Sequence, residues 1–250
     1  MTHQRLSART LFLVVSAAGL AAHGKVLDKT ATIAGMTFPY KVVLPANYDA
    51  ATAYPAILAF PPGEQTMDMV MGTLQRNWAG EAQRRGYIVV IPAAPREGLF
   101  MEEGARVFPA FLDQLLEEYK IRDRKFHIAG MSNGGISAFA IAASYPQYFW
   151  SVTGFPGFLP DATPERVNAL AGLCINLHVG ELDTDWQRTM EEQAAEFRRK
   201  GFTVRMTVEK GQGHVMSTLT GEGSARLFEE IEDSRQGCRK ESRGKASRGQ

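Results

Sequence analysis

Cysteine is nearly missing: in 250 residues only Cys174 and Cys238 occur. Neither has a second thiol at metal-ligand spacing, which excludes a zinc–thiolate centre or a disulfide-dense scaffold. Cys174 falls inside the apolar run Leu173–Val179 and is expected as a buried free thiol, whereas Cys238 sits in a polar, basic tail. No apolar run is long enough to span a bilayer as a helix. Internal repeats and an inserted domain are absent as well. The formal net charge is only +1, and the body of the chain has a modest acidic excess with no basic stripe. That excludes a nucleic-acid partner. Histidine is scarce, five in all, so any chemistry that needs an imidazole has few residues to choose from.

What is present is organised in three stretches. Residues 1–24 carry His3, Arg5 and Arg9 ahead of the short apolar run Leu11–Ala22, with small residues at Ala21, Ala22 and Gly24. This pattern is that of a secretory signal peptide, so a secreted or periplasmic location is expected, with no stable membrane insertion once the leader is cleaved. Residues 25–234 read as one catalytic-sized α/β domain. Residues 235–250, with six Lys/Arg and one Glu, read as a disordered basic tail.

Within the body, apolar strand-like runs alternate with helical patterns. Thr32–Leu44 alternates around a turn at Ala34-Gly35 and is expected as an edge strand pair. Pro55–Phe60, Tyr87–Ile91, Phe126–Ala129, Trp150–Phe155 and Leu173–Val179 are short continuous apolar runs, as in strands buried on both faces; Phe202–Val208 alternates. Met67–Arg85, Ala105–Tyr119, Ile136–Tyr145, Trp186–Arg199 and Ser224–Ile231 read as helices. The alternation predicts a mostly parallel central sheet with helices on both faces. Gly157 to Gly172 holds one short helix and leaves no room for a large lid.

The chemistry centres on Gly130-Met131-Ser132-Asn133-Gly134-Gly135, between the Phe126 strand and the Ile136 helix. Strand, tight turn with serine at its tip, then helix is the context in which G-x-S-x-G acts as a nucleophile elbow. Gly130 and Gly134 give the turn clearance, and Gly135 lets the helix lie close to the sheet. A serine hydroxyl needs a base. With the leader removed three histidines remain. His127 lies on Ser132's own strand, about 16 Å away at strand rise; His178 sits near the end of an apolar strand and suits a hydrogen-bonded structural role. His214, in the loop Gly211-Gln212-Gly213-His214, lies at the strand's C-terminal edge, where open α/β sheets carry their ligands, and is the favoured base.

The base needs an orienting carboxylate. Asp183 is favoured within Gly180-Glu181-Leu182-Asp183-Thr184-Asp185. Asp185, which looks placed to cap the next helix, is the reserve, and Asp161 is an outside choice. For the oxyanion, the N–H of Asn133 and that of Gly63 or Glu64 are expected, because Pro62 has no N–H to give. Leu99, Phe100 and Met101, and separately Trp186, are read either as an apolar wall for substrate or as core. No metal or cofactor is called for.

From about Tyr40 to His214 the chain resembles an α/β-hydrolase serine esterase, more narrowly the polyhydroxybutyrate depolymerase and feruloyl esterase group and its small carboxylesterase relatives. The residues that carry this are Tyr119-Lys120-Ile121-Arg122-Asp123-Arg124-Lys125-Phe126-His127-Ile128-Ala129 leading into the Ser132 elbow, with Gly180-Glu181-Leu182-Asp183 and Gly213-His214. Pro62-Gly63 stands where that group usually has His-Gly. The resemblance implies a cofactor-free carboxylesterase that forms an acyl-enzyme on small-molecule or polymeric esters. Thioesters or peptides are the competing substrates on the same fold, and a non-catalytic binding protein is the outside reading.

Overall fold

The computed structural model describes residues 24–236; the predicted leader and tail lie outside them, apart from Gly24 and the first two residues of the tail. Eight strands form one sheet: β1 (Val26–Ile33), β2 (Met36–Val43), β3 (Tyr54–Phe60), β4 (Ile88–Pro92), β5 (Ile121–Gly130), β6 (Phe149–Gly154), β7 (Cys174–Gly180) and β8 (Val204–Glu209). Their spatial order is β1-β2-β4-β3-β5-β6-β7-β8. β1 and β2 form an antiparallel hairpin and β2 runs antiparallel to β4; all other pairings are parallel. The hairpin turns at Ala34 and Gly35, both at positive φ (52° and 79°), which gives the tight turn a right-handed strand twist requires.

Period-two alternation divides the apolar side chains between two cores. From β3, Ala56, Leu58 and Phe60 face one side, and Ile57 and Ala59 the other. The first core packs under α3 (Ala110–Glu118), α4 (Asn133–Ser144), α5 (Pro164–Ala169) and α6 (Thr184–Arg199). The second packs under α1 (Met67–Thr73), α2 (Ala79–Arg85) and α7 (Ala225–Arg235). Burial on both faces explains why the central strands read as continuous apolar runs. α4, behind the central strand β5, is buried around almost its whole circumference, Ser137 through Ala143 included.

Three expectations change. Met67–Arg85 is not one regular helix: a π-helical turn, Leu74–Trp78, joins α1 to α2 and sets Trp78 edge-on to Phe155 and Phe228. Ala105–Tyr119 splits at Pro109, which cannot continue a helix from the preceding turn, into a 3₁₀ turn (Glu103–Val107) and α3. Cys174 is disulfide-bonded rather than a free thiol; the chain's other cysteine, Cys238, lies outside the described residues. The helix predicted between Gly157 and Gly172 is α5, whose N-cap Thr163 accepts from the Arg166 N–H.

Candidate active site

β5 ends at Gly130 and α4 begins at Asn133, so Ser132 sits at the apex of a two-residue turn with φ 57° and ψ −123°. A non-glycine residue in that region is strained and persists only where its surroundings hold it. The clamp is visible in the glycines. A Cβ on Gly130 would meet the Gly134 carbonyl at 2.1 Å, and one on Gly134 would meet that of Phe60 at 2.3 Å. The Ser132 N–H donates to the Pro156 carbonyl at 2.8 Å, which seats the turn on the loop after β6.

His214 comes from the loop after β8. Its Nε2 is 2.8 Å from Ser132 Oγ and its Nδ1 is 2.7 Å from Asp183 Oδ2. Asp183 occupies the N-cap of α6, yet its side chain makes no capping bond and is left for the imidazole. Asp185 instead lies in the first helical turn, exposed and paired with Arg188 at 2.9 Å, and Asp161 is exposed with its nearest cation, Arg166, at 3.9 Å. The loops that carry Asp183 and His214 are fastened by two backbone bonds and one side-chain bond. Glu181 N–H donates to Glu209 O, Leu182 N–H donates to Gln212 O, and Glu181 Oε2 accepts from Gly211 N–H. Only glycine fits at 180, where a Cβ would lie 2.2 Å from the Gly213 carbonyl.

At the N-terminus of α4 the Asn133 N–H has no partner among the described residues, and neither does the N–H of Gly63 or Glu64. Gly63 has φ +58°, and its carbonyl accepts from Asn133 Nδ2 at 3.1 Å. Glu64, unlike Gly63, shares with Asn133 the lining of a cleft of about 430 Å³, whose other walls include Arg96, Leu99 and Met101. Phe100, by contrast, is fully buried, ringed edge-on by Phe38, Phe60 and Phe108, so it is core and not a substrate wall. The apolar alternation could not tell it from Leu99 and Met101 beside it. Trp186 is half-buried and lies edge-on to the His214 ring at 4.9 Å, with Phe158 behind it at 4.9 Å. Leu182 and Val215, next to Asp183 and His214, are the most exposed large apolar side chains of the described residues.

The other two histidines are held elsewhere. His127 is buried against Ser151 Oγ at 2.8 Å, and burial pushes its pKa down to about 3, so the ring stays neutral. His178 is fully buried between Glu209 (Nδ1, 3.2 Å) and Glu230 (Nε2, 2.8 Å), with Arg226 on the far side of Glu209 at 2.7 Å. Burial opposes its charge, but hydrogen bonds to the two carboxylates outweigh that and raise its pKa. Glu209 is held far below the carboxylate range, first by the His178 hydrogen bond, against burial, and then by Arg226 and Thr218. His178 has the hydrogen-bonded structural role expected of it, but nothing local in the sequence announces partners as distant as Glu209, Glu230 and Arg226. No group of three or more His, Cys, Asp or Glu among the described residues is placed to hold a metal ion.

The arrangement can pass the Ser132 proton to an imidazole whose other nitrogen is held by a carboxylate, with the unpaired N–H of Asn133 on the next residue. No family model matches the chain, and no curated protein matches it. Solved structures do. A thermostable esterase is 19% identical over 85% of this chain, at TM-score 0.63; this chain spans 62% of its length. The feruloyl esterase module from Clostridium thermocellum, complexed with sinapinate, is 13% identical over 78% of this chain and 83% of its own, at TM-score 0.65. Oligopeptidase B from Leishmania major is 15% identical over 79% of this chain but 34% of its own, at TM-score 0.58. At such identities the likeness concerns architecture, and with the strand order above it makes this chain an α/β-hydrolase fold.

Proposed function

We propose that the protein is a serine carboxylic-ester hydrolase working through an acyl-enzyme. The observation that carries this is the unbroken hydrogen-bonded line from Ser132 Oγ through His214 to Asp183 at a strained elbow. Ser132 Oγ bonds to the ester carbonyl carbon while its proton passes to His214 Nε2, and Asp183 holds the imidazolium that forms. The N–H groups of Asn133 and Glu64 receive the oxyanion. His214 then gives the proton to the departing alkoxide as the C–O bond breaks. Water, deprotonated by the same nitrogen, releases the acid and restores Ser132.

Among the described residues only α5 stands between β6 and β7. That suits short-chain or aromatic esters, or an ester bond on a polymer, with Trp186 beside the base as a substrate contact. We place the reaction outside the cytoplasm, after removal of the leader at residues 1–24. No nucleic-acid partner and no cofactor enter the scheme.

Peptides are the second reading, favoured by the match to an oligopeptidase. An ester panel of varied acyl length, with aromatic and polymeric members and matched thioesters and peptides, tests the choice. Labelling of wild type at Ser132 by a fluorophosphonate, with ester turnover that Ser132→Ala abolishes, is the expected result. Full activity in Ser132→Ala would overturn the assignment.

A further inference from the structure

Gln65 directly follows the second oxyanion donor and is among the most constrained polar residues of the molecule. It is fully buried and its backbone is left-handed, φ +51°. A non-glycine residue there costs energy and is held only by strong local anchoring. Every group it has is engaged. Its N–H donates to the Pro62 carbonyl at 3.2 Å, closing a turn over Gly63 and Glu64, and its carbonyl accepts from Ala94 N–H at 2.9 Å. Its side-chain Oε1 accepts from Phe100 N–H at 3.0 Å, and its Nε2 donates to Ser137 Oγ at 3.0 Å.

The last bond is the informative one. Ser137 lies one helical turn beyond Asn133 on the same helix, α4, whose first N–H is the other oxyanion donor. The two donors belong to segments far apart in sequence, and a buried amide bridges them. The Gly63 carbonyl and the Glu64 N–H share one rigid peptide plane. Asn133 Nδ2 holds that plane from one side, and the turn closed by Gln65 holds it from the other.

We infer that Gln65 is a positioning residue for the oxyanion hole: it fixes the Glu64 N–H relative to the Asn133 N–H by cross-linking the Pro62–Gln65 turn to α4 and to the 94–100 loop. The inference rests on Ser132 acting as the nucleophile. Its signature is kinetic. Donors set for the transition state contribute to kcat and little to substrate binding.

Gln65→Met keeps the volume and removes both side-chain bonds. It should lower kcat about 10- to 100-fold with KM within about threefold. Affinity for an aryl boronic acid, which forms a tetrahedral adduct on the serine, should fall by the same factor as kcat/KM. Gln65→Glu, assayed at pH 6, is protonated in this buried site. Its O–H can donate to Ser137 and its C=O can accept from Phe100, so it should retain most of kcat. Ser137→Ala, the milder change should Gln65→Met fail to fold, should lower kcat about three- to tenfold at unchanged KM.

Folded Gln65→Met and Ser137→Ala proteins with kcat within twofold of wild type would overturn the role of Gln65 alone. A loss of thermal stability with kcat unchanged would do the same. A wild type that hydrolyses no ester and takes no label at Ser132 would overturn the catalytic reading, and this inference with it.

Discussion

Two histidines stand near the same end of the sheet, each between a carboxylate and a hydrogen-bonding partner, and they have opposite fates. His214 is part-exposed, bonded on one nitrogen to Asp183 and on the other to a serine hydroxyl. His178 is fully buried, with a carboxylate on each nitrogen. An imidazole between an acid and a hydroxyl can take a proton and give it back. One clamped between two carboxylates has its charged form favoured, and its value is structural. The second cluster also has a place to act, because Glu209 ends β8 and its carbonyl receives the N–H groups of Glu181 and Gln212, at the roots of the loops that carry Asp183 and His214. The first arrangement is the one the proposed chemistry uses, and the second holds the strand ends from which the loops of Asp183 and His214 hang.

The contrast can be broken from either side. Ser132→Ala should cut ester hydrolysis by about 10⁴-fold or more while leaving thermal unfolding unchanged, read by initial rates and calorimetry. Asp183→Asn should lower kcat by a comparable order, about 10³- to 10⁴-fold, whereas Asp185→Asn should leave it within twofold; equal losses from the two would undo the choice of acid. Glu209→Gln leaves His178 and Arg226 without their shared carboxylate and should cost about 3 kcal/mol in denaturant unfolding. Its kcat, measured well below the melting temperature, should change only a few-fold.

The pH dependence of stability separates the clusters further. His178 has a folded-state pKa above its ordinary 6.5, so its contribution is complete below that value and is lost as pH rises through the raised one. Glu209 is depressed from 4.5, so its contribution is complete above that value and is lost as pH falls toward the depressed one. His178 from β7, Glu209 from β8, and Glu230 and Arg226 from α7 should therefore stabilise the fold most between pH 4.5 and 6.5. Comparing urea midpoints across pH for wild type and Glu209→Gln checks this, with the difference expected to be largest inside that window. The smallest effect is expected from Trp186→Ala, about a two- to tenfold rise in KM for aryl esters from the loss of one aromatic contact.

How much of this was legible depended on whether the signal was local. The elbow was, because a serine between close-packed glycines leaves its mark within six residues, and the clashes at Gly130 and Gly134 give the reason for that spacing. The parallel sheet was legible too, since strands buried on both faces stay apolar throughout. Asp183 was legible as a loop carboxylate, but its neighbour was misjudged: the cap position belongs to Asp183, and Asp185 stands inside the helix. Phe100 was ambiguous, because an aromatic beside Leu99 and Met101 has no local feature to say whether it faces cleft or core. Gln65 and Glu209 were invisible. Their meaning lies in Ser137 and His178, residues that only the folded sheet brings to them.

The all-round burial of α4 has a consequence for anyone wishing to redirect the protein. A helix packed between the sheet and α5 tolerates few new side chains, since changes along it disturb the packing beneath Ser132. The rim is different: Leu182 and Val215 are largely in water. Directed-evolution libraries confined to those rim positions and to the loop of Leu99 and Met101 would search new selectivities at small expense in folding, while libraries in α4 would mostly return unfolded chains.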